Sequence, residues 1–200
     1  MAQARTPTNS AIHRTQPMRN GDVPTWVASS DAVALSTGTA ATTTISLGYI
    51  FHAATTLLKL ELLAARLSWA AGAGAGSGIL AKLARIPNVM TGGTVNTIQP
   101  LDSRDVYDVP TVDPVAGCEA RFGATAGAGT RVILATHRIH HATPGQLDLA
   151  ELFRHMAGKM PTINAGVAEG LEVLIVTTGT GPATAADMSL SFEFTARPAA

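Results

Sequence analysis

Near the end of the chain, Met188, Leu190, Phe192 and Phe194 alternate with Ser189, Ser191, Glu193 and Thr195. A period of two sends the large apolar groups to one face of an extended backbone and the polar ones to the other, which predicts a half-buried strand over Met188–Thr195. Across the turn-rich segment Thr178–Ala186 lies its companion, Leu171–Thr177, within the run LEVLIVTT. That run is apolar on both faces and rich in Val and Ile, the pattern of a central strand, and it places Leu171, Val173 and Ile175 in the core. Over Thr42–Phe51 the alternate positions Ile45, Leu47, Tyr49 and Phe51 predict another strand with a single apolar face. Branching at Thr43 and Thr44 suits a pleated strand better than a helix interior. His52 follows directly and reads as a strand end or a hydrogen-bonding side chain. Thr25–Leu35, with Trp26, Ala28, Val33 and Leu35, adds a shorter alternation.

Thr55–Ala70 fits two templates. Leu57, Leu58, Leu60, Leu62, Leu63 and Leu67 can form a helical stripe, while Leu58, Leu60 and Leu62 also share one strand face against Lys59 and Glu61. We favour the strand, because the neighbouring extended segments need partners. Ala71–Gly78, AGAGAGSG, reads as a hairpin loop or a surface connection; it lacks the Lys-Ser/Thr ending of a phosphate-binding loop. Ile79–Ile86 resumes the apolar pattern, Pro87 interrupts it, and Met90–Thr94 reads as a turn. From Val95 to Phe122, Pro100, Pro110 and Pro114 favour short extended pieces with long connections. Thr130–His141 predicts a strand, and Leu147–Met156 one or two helical turns or a bent connection. The fold expected is mainly β: a β-sandwich or jelly roll over residues 24–197, with a short helix left open. An extended polar arm, Met1–Val23, precedes it and a short tail, residues 198–200, follows.

Composition narrows what such a scaffold does. Hydrophobic residues make up 46% of the 200 and charged ones only 14%, with 14 Lys plus Arg against 14 Asp plus Glu. So weakly charged a surface gives little repulsion between copies and favours association into a homo-oligomer. It also lacks the concentrated positive footprint of direct nucleic-acid binding. No apolar run is long enough to predict membrane insertion by a helix, and the polar start does not read as a secretory signal. Cys118 is the only cysteine, so an intrachain disulfide is excluded; in a loop-like setting it reads as a small buried hydrophobe.

The candidate chemistry centres on His137, His140 and His141, with His155 downstream. Imidazole nitrogens ligate zinc or carry protons, so these four are candidates for a metal site or an oligomer contact. On a strand, His137 and His141 share a face and His140 points away. No HExxH pairing, nucleophile elbow, Walker loop or dinucleotide fingerprint is complete, so no cofactor and no catalytic residue is assigned. Glu61, Asp102, Asp108, Glu151 and Glu169 offer carboxylates without a spacing that fixes a pair. Asp102, Asp105, Asp108 and Asp113 do not fall at calcium-loop positions. Trp26, Trp69, Tyr49, Phe51 and Tyr107 offer amphipathic faces for protein or carbohydrate contacts.

The segment ELFRHMAGKMPTINAGVAEGLEVLIVTTGTGPATAADMSLSFEF, Glu151–Phe194, resembles small structural proteins encoded in tailed bacteriophage virion gene clusters. It looks like their bent connector, Glu/Gly turn, apolar strand, Ala-rich loop and terminal strand. The earlier LLKLELLAARLSWAAGAGAG, Leu57–Gly76, is similar to an early long strand followed by a small-residue loop. The resemblance implies a jelly-roll or sandwich virion component that is not an enzyme. Its partners would be further copies of itself and major capsid or other virion proteins, with assembly in the host cytoplasm. Capsid decoration is the role it implies first, a head-fibre or tail-associated glycan- or protein-binding module second. A histidine-dependent metal enzyme is the alternative from outside that class. The alanine-rich Leu57–Ala70 run and the polar arm depart from a simple paired-strand pattern; the arm leaves room for a clasp onto a neighbouring subunit.

Overall fold

The computed structural model describes residues 25–31, 33–53, 55, 58–71, 78–87, 92–96, 98–100, 118–123, 130–140, 142–179 and 184–198. The expected arm Met1–Val23, the four aspartates from Asp102 to Asp113, Tyr107 and His141 lie outside them. In chain order the elements are β1 (Thr25–Ser29), β2 (Leu35–Ser36), β3 (Thr44–His52), β4 (Leu58–Trp69), β5 (Gly78–Ile86), β6 (Thr94–Asn96) and β7 (Gln99–Pro100). There follow β8 (Cys118–Phe122), β9 (Val132–Ile139), β10 (Gly145–Asp148), α1 (Leu149–Ala157), β11 (Thr162–Ile163), β12 (Glu169–Thr178) and β13 (Asp187–Pro198). Leu58–Trp69 is thus a strand throughout. Cys118 opens β8 opposite His52 and is not in a loop. β13 runs through Pro198, one residue into the expected tail.

Two antiparallel sheets pack face to face as a sandwich. The first runs β10-β4-β13-β1-β7, with β11 also on β4 and β2 also on β13; the second runs β6-β8-β3-β12-β5-β9. The late companions β12 and β13 therefore do not pair with each other. They lie in opposite sheets, because each has an apolar face that the other covers across the core. β4 and β5 are likewise in opposite sheets, so the Gly/Ala-rich segment between them joins two sheets and does not close a hairpin. β12 has β3 on one side and β5 on the other and is buried along nearly its whole length.

The core draws Leu171, Val173 and Ile175 from the second sheet against Met188, Leu190, Phe192 and Phe194 from the first. Phe192 stacks on Phe122 of β8 with ring centroids 5.9 Å apart. β3 departs from the single apolar face expected of it. Its pairing with β12 steps from Gly48 to Ser46, leaving Leu47 as an extra residue. A one-residue bulge reverses the alternation beyond it. Ile45 (half-buried), Leu47 and Ile50 therefore face the core, while Tyr49 and Phe51 lie on the far face of the sheet in a separate cluster with Ile86. The bulge presses β3 onto β8: a Cβ at Gly48 would lie 2.6 Å from the Phe122 ring and 2.9 Å from the Arg121 carbonyl oxygen, so glycine is required.

Two further leucines are bulge residues. β4 skips Leu63 in its register with β13, and β9 skips Leu134 in its register with β5. Where β1 stops short of β2, hydroxyls complete the bonding of β13: Ser30 Oγ accepts from Leu190 N–H and Thr37 Oγ1 from Ala186 N–H, both at 2.9 Å. These contacts account for two of the buried polar side chains.

α1 covers the flank of the sandwich between β4 and β9. Asp148 caps it, its Oδ1 accepting from Ala150 N–H at 3.0 Å, from Glu151 N–H at 3.2 Å and from Ala65 N–H of β4 at 3.1 Å. One carboxylate thus fixes both the start of the helix and its distance from the sheet. Leu149 and Ala150 enter the core, and Gly158 closes the helix in the left-handed region at φ 68°.

Candidate functional site

Arg66 of β4 meets Glu193 of β13 at 2.8 Å on the first sheet, and three further ties of ionisable side chains are on the second sheet. On its far face Tyr49 of β3 donates its hydroxyl to Glu119 Oε1 of β8 at 2.7 Å. Arg121 grips the same carboxylate through Nε at 2.6 Å and Nη2 at 3.1 Å. The Arg121 guanidinium holds the Glu119 carboxyl below its usual range, and burial, aided by Glu119, pushes the Tyr49 phenol upward. In the next strand Glu172 of β12, fully buried, takes Nε of Arg131 at 2.6 Å. Arg131 stands just before β9 and reaches over β5 to do so.

The third tie closes one end of the sandwich. Glu169 of β12 meets Arg85 Nη1 of β5 at 2.6 Å and accepts from Asn164 N–H at 2.7 Å, while Arg85 Nη2 donates to the Thr162 carbonyl of β11 at 2.9 Å. β11 belongs to the first sheet, so Arg85 joins the two sheets. Beside it the register sets Cys118, His52 and Glu169 in one row across β8, β3 and β12. That order matches a nucleophile, a base and an orienting acid, but the bonding does not. His52 is fully buried, with Nε2 2.6 Å from the Leu58 carbonyl oxygen and Nδ1 3.5 Å from that of Val167. Its short bond ties β3 to the start of β4, and the Glu169 carboxylate is held by Arg85. The row is a stitch through the fold.

Of the histidines singled out from the sequence, the three described, His137, His140 and His155, do not assemble. His137 is exposed on β9, His140 is exposed beyond its end, and His155 is exposed on α1, 3.6 Å from Glu151 Oε1. Among the described residues no group of three or more His, Cys, Asp or Glu side chains is placed to hold a metal ion. His140 contributes its backbone instead: its carbonyl and that of Thr143 face Trp69 Nε1, at 3.3 and 2.8 Å. The Trp69 ring lies directly on Gly145, where a Cβ would collide with it. Trp26, Tyr49 and Phe51 are buried, so among the described residues the singled-out aromatics form no exposed stacking face together. The only sequence sign of the ionic ties was a carboxylate inside an apolar strand, Glu172 between Leu171 and Val173. Its arginine lies 41 positions away and becomes adjacent only through the strand order.

Tyr49 gives this network a pH signature. A phenol whose folded pKa lies above its ordinary value of 10.0 adds stability below pH 10 that is lost as pH rises through the folded value. Unfolding free energy should therefore fall above pH 10. Tyr49→Phe should flatten that decline and lower stability by about 1 kcal/mol at neutral pH. Urea titrations at neutral and alkaline pH compare the two slopes; equal slopes would exclude Tyr49 as the source.

Comparison with known proteins finds no matching family model, no matching curated protein and no matching solved structure.

Proposed function

We propose that this chain is a non-enzymatic structural subunit of a tailed-phage virion, attached to the capsid as a decoration or capsid-associated component through repeated subunit contacts. The observation that carries the reading is the use made of its buried and half-buried charge. Glu119, Glu169 and Glu172 each bind an arginine of the same chain, and each tie fastens a strand of the second sheet to another strand or to the segment leading into one. Side chains so committed stiffen a scaffold and hold no reactive group toward a substrate. The resemblance of Glu151–Phe194 to phage structural proteins supplies the kind of assembly. That stretch supplies most of α1, β11, β12 and most of β13, including strands from the interior of both sheets.

Virions raised from the genome that encodes this chain test the proposal. The protein should band with purified particles at a reproducible copy number, and gold-labelled antibody should decorate heads. Label confined to tails would move the reading to a tail component. Absence from particles, with the protein present in the soluble lysate, would overturn it.

A further inference from the structure

We propose that β9 is a self-association strand: two copies of this chain pair β9 with β9, antiparallel about a two-fold axis, so that two six-stranded sheets continue as one. The inference deepens the structural-subunit reading and rests on it for its purpose, while its physical basis is the contrast among the sheet edges.

An unpaired edge strand presents a row of N–H and C=O groups to any other strand, and one way proteins blunt such edges is to keep them short. Three edges here follow that rule. β6 has three residues, β7 two and β10 four. β9 has eight, and among the described residues its backbone pairs with β5 on one side alone, with α1 packed beside it on the flank of the sandwich. Among the described residues no other backbone group bonds to its outer edge. Its first two side chains, Val132 and Ile133, are 55% and 44% exposed. They account for two of the five large apolar residues exposed in the described structure.

Charge selects the occupant and the direction. Arg131, immediately before the apolar pair, is neutralised by Glu172, so the start of the edge repels no second copy. Arg138, near the other end, is exposed. A parallel pair in register would set Arg138 on Arg138. An antiparallel pair brings the start of each strand to the end of the other, where the aliphatic stem of arginine covers Ile133, which shares its face of the sheet, and its charge stays in water. A chain with no net charge adds no long-range repulsion between copies. The two-fold axis uses both β9 edges at once, so the association closes at a dimer and does not extend into a fibre. The bulge at Leu134 adds twist to the edge, and two symmetric copies carry the same twist into the joint.

Sedimentation velocity on the full chain across a micromolar range should show a monomer–dimer equilibrium. The double variant Val132→Lys/Ile133→Lys should weaken it at least tenfold while leaving the thermal unfolding transition in place. Hydrogen exchange on the wild-type chain reads the same joint without a mutation. Amides within Val132–Ile139 should gain at least tenfold protection between dilute and concentrated samples, and those of β12 should not. A wild-type monomer throughout, a dimer indifferent to the lysines, or unchanged β9 protection would each overturn the proposal. Absence of the chain from virions would refute the structural-subunit reading and leave these readouts untouched; a strict monomer found in virions would refute only the β9 pairing.

Discussion

Phe192→Ala is expected to lower the unfolding free energy by about 3–5 kcal/mol. The ring is fully buried and stacks on Phe122, so it bridges the two sheets. Its lateral neighbours in the first sheet are Ala28 of β1 and Ala65 of β4. Small residues on either side make room for a large one, and they have no atoms with which to fill the space it leaves. The cavity should therefore persist and the loss should lie toward the upper part of that range. Phe192→Leu, which keeps most of the volume, should cost about 1–1.5 kcal/mol. Equilibrium urea unfolding separates the two, and a near-unchanged value for the alanine variant would contradict the bridging role.

Arg131→Ala should be comparably damaging, by about 3–5 kcal/mol, because it strands a carboxylate on a fully buried position of the central strand. The cost belongs to the orphaned Glu172 more than to the lost attraction. Removing both charges in Arg131→Met/Glu172→Leu should restore most of the stability, since a buried pair replaced by apolar groups of similar size is often neutral. The same denaturation measurement on the single and double variants gives the coupling. A double variant no better than Arg131→Ala would mean that the arginine acts through packing alone.

Sequence pattern resolves this fold where the strands are regular and misreads it where they bulge. β13 keeps its inward period of two from Met188 to Phe194, and its inward residues are legible as written. In β4 the inward residues are Leu60, Leu62, Ala65 and Leu67, at steps of two, three and two. That spacing sums to a heptad, so one extra residue at Leu63 makes a strand mimic a helix. In β3 the extra residue at Leu47 sends Tyr49 and Phe51 to the far face, although they continue the apparent alternation. A bulge is a relation between two strands, and one strand's sequence does not carry it. The ionic ties were hidden for a similar reason. Only Glu172, inside an apolar strand, hints at a tie; Arg131, Glu169 and Arg85 read as ordinary surface residues until the order β3-β12-β5-β9 sets them beside their partners. The histidine cluster was conspicuous in the sequence only because its members are close along the chain, and the fold turns His137, His140 and His155 to solvent.

The first sheet has its middle strand supplied late. β13 lies between β1 and β4, yet the whole second sheet is threaded before it in the chain. During synthesis β1 and β4 leave the ribosome long before the strand that joins them, and each carries an apolar face and an open edge in the meantime. Contacts of such long sequence separation are slow to form, which places folding in the millisecond-to-second class of β-rich domains. β12, which joins β3 to β5 in the second sheet, comes only just before β13, so the nascent chain holds both sheets open until these two late strands arrive. That interval is when it is most exposed to chaperones, to aggregation and to strand exchange between neighbouring nascent copies.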